Sequence, residues 1–141
     1  MDTETKLTEF VSTQEAVFEQ VVSELTAGHK QSHWMWFIFP QLAGLGTSQM
    51  ARKFAIGSLE EARAYLRHAV LGPRLKECTR LMLAAPHSDA GAILGYPDDL
   101  KFRSCMTLFR AAEPGEPLFQ AALEKFFAGE SDSLTLELLD A

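Results

Sequence analysis

The chain of 141 residues predicts an all-α fold, a single compact domain of about seven or eight short helices and not a regular four-helix bundle. Three observations carry this. Helix-capping signals recur along the chain, the apolar residues between them recur at three- and four-residue spacing, and no stretch alternates apolar and polar residues over the length of a strand.

Taken in order, residues 1–9 are polar and read as a flexible N-terminus. Ser12-Thr13-Gln14-Glu15 reads as a capping box, followed by Val17, Phe18, Val21, Val22 and Leu25 at helical spacing and by Gly28 as a left-handed stop; the spacing predicts a helix over 13–27. Trp34–Phe39 is the one serious strand candidate. With no second strand to pair with, its backbone groups would lack partners, so a helix or compact turn is expected there. Ser48 caps a helix carrying Ala51, Phe54 and Ala55, and the box Ser58-Leu59-Glu60-Glu61 opens one over 59–68. Gly72-Pro73 opens the next, with Leu71, Leu75, Cys78 and Met82 as its core stripe. Ser88 is expected to cap a short helix ending at Gly95. Pro97 starts the helix with the stripe Phe102, Cys105, Met106 and Phe109. Pro117 starts another, with Phe119, Ala122, Leu123, Phe126 and Phe127 inside and Gly129 as the stop, and Asp132 caps a last one carrying Leu134, Leu138 and Leu139. The residues expected in the core are Val21, Leu25, Phe54, Leu75, Met82, Met106, Phe109, Leu123 and Phe126.

Composition narrows the class. Apolar residues make up 47% and charged residues 23%, which is globular and leaves enough apolar surface for a core without metals or disulfides. The formal net charge of −6 argues against general nucleic-acid binding, while leaving room for a local basic patch. Cys78 and Cys105 read as buried, reduced thiols, and no apolar run is long enough to span a bilayer. The expectation is a soluble cytoplasmic protein with no membrane partner and no bound metal. His29 and His33 are four apart, but Gly28 breaks the helix that would pair them.

Two segments concentrate chemistry. The first is Lys30–Gln41, which holds both tryptophans and His33 and runs into Gly44-Leu45-Gly46-Thr47-Ser48. Trp34 or Trp36 could stack a ring, and His33 could position a ligand or move a proton. Gln41 adds an amide, and the backbone at Gly44, Gly46 and Ser48 could approach an anion at a helix N-terminus. The second is Pro97–Arg110. Lys101 and Ser104 form one strip, while Arg103, Thr107 and Arg110 share a helix face suited to a phosphate or carboxylate. Neither segment makes an anion site well alone, so the two are expected to meet in space. The candidate ligand-binding set is Ser32, His33, Trp34, Trp36, Gln41, Gly44, Gly46, Ser48, Lys101, Arg103 and Thr107, with His33 as the one catalytic candidate. A hydrolytic reaction would need a carboxylate as well, and Asp98, Asp99 and Glu61 are not ranked by sequence. No nucleophile elbow, Walker or zinc motif is present, and no cofactor is named by the pattern.

The stretches Ser32–Gln41, Gly44-Leu45-Gly46 and Lys101–Phe109, with Glu61–Leu66, Leu71–Leu75 and Leu134-Thr135-Leu136, resemble a bacterial family filed as domain of unknown function 1810. The resemblance covers about Phe10 to Leu139 and implies a mainly helical single domain with no established activity. Cys105 stands where the family pattern usually reads serine. The calpastatin-like label sometimes given to this family has no physical support here. Calpain inhibition of that kind uses disordered repeats, whereas this chain carries continuous apolar stripes. A weaker likeness, to the NADAR superfamily of NAD and ADP-ribose chemistry, rests on the Lys101–Met106 segment and the leucine-rich C-terminus. Two readings follow. One is a site for a small anionic ligand of nucleotide or ADP-ribose type. The other is a non-catalytic protein-interaction or stress-related module, with the Trp/Met/Phe segment as core or partner surface.

Overall fold

The computed structural model describes residues 2–140. Within them lie ten helices: α1 (Thr3–Glu15), α2 (Phe18–Ala27), α3 (Met35–Ile38), α4 (Gln49–Lys53), α5 (Leu59–Arg67), α6 (Leu71–Ala84), α7 (Ala90–Leu94), α8 (Asp98–Ala112), α9 (Pro117–Phe127) and α10 (Ser133–Asp140). The fold is all-α, as its periodicity requires. The accessible surface of 7072 Å² matches the roughly 7,000 Å² expected of a compact chain of this mass.

One of the extra helices comes from the N-terminal end. The helix predicted over 13–27 is broken at Ala16–Val17, and α1 begins ten residues earlier, at Thr3. Asp2 caps it by accepting from the Thr5 N–H, and Leu7 and Phe10 anchor it in the core, so residues 3–9 are helical rather than a free tail. Met1 lies outside the described residues. The Ser12 box is not a cap at all: the Ser12 hydroxyl donates back to the Glu9 carbonyl inside α1. The second addition is α3, one turn within Trp34–Phe39.

Elsewhere the local chemistry acts as read, with small shifts. Ser48 and Ser58 cap α4 and α5, and Gly28 ends α2 at φ +76°. Asp89, not Ser88, caps α7. Ala128 shares the left-handed stop of α9 with Gly129, at φ 55° and 79°. Gly72 is obligatory for another reason: a Cβ there would sit 2.1 Å from the Leu66 carbonyl oxygen, where α6 passes the end of α5.

The core centres on α8, which packs against α5, α7, α9 and α10. Its Phe102, Cys105, Met106 and Phe109 are fully buried, joined by Phe10, Tyr65 and Phe119. Of the expected core residues, Phe126 alone is only partly buried, lying against Phe102 at the margin. Cys78 and Cys105 are free and enclosed. Burial pushes the Cys78 thiol up to about 12 and raises Cys105 as well, which keeps both protonated and inert.

Candidate functional site

The two chemistry-bearing segments do meet. Phe39 packs edge-on against Phe102 with ring centroids 4.8 Å apart, and Lys101 reaches over the Trp36 ring at 5.6 Å. Between them opens a pocket of about 130 Å³ whose polar lining comprises Trp36, Gln41, Gly44, Gly46, Arg52 and Lys101. Met35, Phe39, Leu42 and Phe54 supply its apolar wall.

Local backbone chemistry builds that wall. The Ala43 N–H donates to the Ile56 carbonyl at 2.8 Å and the Ile56 N–H to the Gln41 carbonyl at 2.9 Å, a short parallel bridge that clamps 41–43 beside the end of α4. Gly46 is pressed against α4: a Cβ there would lie 2.5 Å from that of Ala51. Gly44 turns at φ +101° under Leu138 of α10. The glycines thus have steric duties of their own, and they also bring backbone to the pocket edge.

The Trp segment is held from behind by Glu24. One carboxylate oxygen accepts from the Gln31 N–H, the Ser32 N–H and Trp34 Nε1 at 2.6, 2.9 and 3.0 Å. The other accepts from the Ser32 hydroxyl at 2.6 Å and from Gln20 at 2.8 Å. Burial raises the pKa of this group, but the bonds from Ser32, Gln31 and Gln20 outweigh it and hold the carboxyl at about 2. Asp98, at the start of α8, joins the two segments, binding Lys30 at 3.0 Å and Lys101 at 3.4 Å. Lys30 in turn lies over the Trp34 ring at 5.2 Å.

Of the eleven residues read as ligand-binding, the structure places Trp36, Gln41, Gly44, Gly46 and Lys101 in the pocket lining and leaves the rest outside it. Trp34 is 1% exposed, a core ring with its one donor spent on Glu24. Ser32 is bound to the same carboxylate, and Ser48 to the Ala51 N–H as a cap. His33 stands exposed at the surface. Arg103 turns away to the Glu130 carbonyl and carboxylate. Thr107 is fully buried, donating to the Arg103 carbonyl and accepting from the Asp132 N–H, which ties α10 to α8. The face of Arg103, Thr107 and Arg110 is therefore a fastening for the C-terminal helix, with Arg110 reaching Gln120 and Ser131.

Two residues were not legible as members of this region. Arg52 lines the pocket, and among the described residues it is in no ion pair. Its only sequence signal was a cation placed just beyond Gly46–Ser48. Glu24 sits on the predicted apolar helix between Val21 and Leu25, and a carboxylate on that stripe was the available sign of a buried network. Of the three carboxylates considered for catalysis, Glu61 is held by Lys6, the Gly57 N–H and Thr3, and Asp98 by two lysines. Asp99 accepts from the Leu100 N–H. None of the three lines the pocket.

The family model described as "Protein of unknown function (DUF1810)" matches residues 4–139. Among solved structures the chain is similar to a conserved hypothetical protein, Rv1873, from Mycobacterium tuberculosis. The identity is 50%, 96% of each chain is covered and the TM-score is 0.94. A search of curated proteins gives no match. No helix among the described residues is long and apolar enough to cross a membrane.

Proposed function

The chain belongs to the family of unknown function DUF1810, and we propose that within this fold the Trp36–Lys101 pocket binds the anionic end of a small ligand of nucleotide or ADP-ribose type. The observation that carries the reading is the pairing of an aromatic face with two cations in one hollow. Lys101 lies over Trp36, and Arg52 faces the same space without a carboxylate of its own. A guanidinium and an ammonium beside an aromatic wall suit a phosphate or carboxylate next to a planar group. Gln41 adds an amide to the same lining.

Size refines the reading. Pockets that enclose a whole small molecule usually hold about 300–1,000 Å³, whereas this one holds about 130 Å³. It has room for a headgroup, with the remainder of the ligand lying across the open edge of Trp36. The alternative, a partner surface made of the Trp/Met/Phe segment, has little to present: Trp34, Met35, Phe37, Ile38 and Phe39 are all enclosed.

The test is a thermal-shift screen of the intact protein against phosphate, nucleotides, NAD derivatives and ADP-ribose. A binder at 100 times its dissociation constant should add about 2.7 kcal/mol. Lys101→Ala and Arg52→Gln should each reduce that shift without lowering the unliganded melting temperature. A shift that neither substitution reduces, or no shift from any compound, sinks the reading.

A further inference from the structure

We propose a second anion site, remote from the Trp36 pocket: the groove between α5 and α6 binds the phosphate chain of an oligophosphate. Arg63 and Arg67 are one turn apart on α5, Lys76 and Arg80 one turn apart on α6, and the two helices pack together. A hollow of about 250 Å³ is lined by Arg63, Arg67 and Lys76 over a floor of Leu66 and Ala112, with Glu113 at its margin. A neighbouring hollow shares Arg67 and Lys76 and adds Arg80, and a third, lined also by Glu60 and Glu61, shares Arg63 and Arg67. Arg67 lines all three.

Six of the chain's lysines and arginines are in no ion pair among the described residues, and three of the six, Arg63, Arg67 and Arg80, line this groove. The chain has 19 carboxylates against 13 lysines and arginines, so its cations should readily find partners. Lys6, Lys30, Lys53, Arg74, Lys101 and Arg103 do. Among the described residues Arg63, Arg67 and Arg80 are in no ion pair. Arg63 spends only its Nε, on the Ala112 carbonyl at 3.2 Å, and Lys76 is held at the rim by Glu116 at 3.2 Å and Glu113 at 4.0 Å. Three guanidiniums in no ion pair stand on neighbouring turns of two packed helices, and a bound anion would supply their counter-charge.

The shape of the row selects the class of anion. An oligophosphate carries charged oxygens on every successive phosphorus and can meet both helices along its length. An extended acidic peptide turns alternate side chains to opposite faces and meets the row at half its positions. The lining contains no Phe, Tyr or Trp, so the groove offers no stacking platform for bases, and the phosphates carry the recognition. Lys101 and Ala112 are eleven residues apart on α8, about 16 Å of helix axis. That spacing places this groove at the opposite end of the helix from the Trp36 pocket.

Isothermal titration of the intact protein with sodium tripolyphosphate, ATP and inorganic phosphate, at constant ionic strength, tests the proposal. Tripolyphosphate should bind about tenfold more tightly than phosphate. Arg63→Gln combined with Arg67→Gln should weaken it about tenfold, with an unchanged circular-dichroism melting curve, and Arg80→Gln should weaken it by a smaller factor. Lys101→Ala, which alters the other pocket, should change it by less than about twofold. ATP should bind no more tightly than tripolyphosphate once Lys101→Ala has altered the other pocket; tighter ATP in that variant overturns recognition by the phosphates alone. The proposal fails if neither compound binds, if the arginine substitutions leave binding intact, or if an oligoglutamate of matched charge displaces tripolyphosphate at equal concentration. The last outcome would reassign the groove to an acidic peptide.

Discussion

Trp34 and Trp36 are two residues apart and serve different ends. Trp34 is enclosed, its indole N–H bound to Glu24 and its face covered by Lys30. Trp36 is half-buried, its face covered by Lys101 at the edge of a pocket. Each ring meets a lysine, and Asp98 binds both lysines. The difference lies in what surrounds the pair. Around Trp34 the polar groups are matched within the protein, so the arrangement is closed and stabilises. Around Trp36, Arg52 is left without a carboxylate, so the arrangement is open to a ligand. A cluster of rare residues in a sequence therefore mixes two populations, and only burial separates them.

The sharpest way to break the comparison is to truncate each ring. Trp34→Ala should cost about 3–5 kcal/mol, since it empties core volume and strands the Glu24 carboxylate. Trp36→Ala should cost less than about 1.5 kcal/mol while abolishing the thermal shift of any pocket ligand. Chemical denaturation reads the first quantity and the ligand screen the second. Equal destabilisation by the two would erase the distinction.

Glu24 should come next in magnitude. Glu24→Ala leaves the Gln31 and Ser32 amides and the Trp34 indole without their acceptor, which should cost about 3 kcal/mol. The pH dependence has a definite sign. The folded pKa of about 2 lies below the ordinary value of 4.5, so the stabilisation is complete above the unfolded value and is lost as pH falls through the folded one. Wild type should therefore lose its advantage over Glu24→Gln as the pH is lowered from 4.5 towards 2, with urea midpoints as the measure. A constant advantage across that window would place the carboxylate's contribution elsewhere.

Much of the fold was legible because it rests on local signals: Ser58, Pro117, Gly28 and Asp132 act where the chain needs a start or a stop. The errors arose where a tertiary contact outranked a local one. Ser12 looked like a cap, but Leu7 and Phe10 anchor a helix that runs through it. Only five of the eleven candidate site residues line one pocket, for a related reason. Helix periodicity places Arg103 and Thr107 on one face, but not which element that face will meet, and α10 took it. Lys101 lies half a turn away and points to the other segment. Arg52 and Glu24 were hidden because their roles depend on distant neighbours that the spacing does not encode.

The smallest expected effect tests the hinge between the two tryptophans. Asp98→Asn removes the charge that holds Lys30 and Lys101 while keeping nearly the same shape. Lys30 has 9% of its side chain exposed, so its loss of a counter-charge should lower stability by about 1 kcal/mol. A further part of that loss comes from removing an acidic group in the first turn of α8, where it complements the helix dipole. Lys101, with 29% of its side chain exposed, should by contrast be released towards the pocket. An anion there no longer competes with Asp98, so the affinity of a pocket ligand should rise, by less than about fivefold given the strength of such pairs. Stability and affinity would thus move in opposite directions in one variant. If both fall together, Asp98 is positioning Lys101 for the ligand instead of competing with it, and the Trp36 side is as closed an arrangement as the Trp34 side.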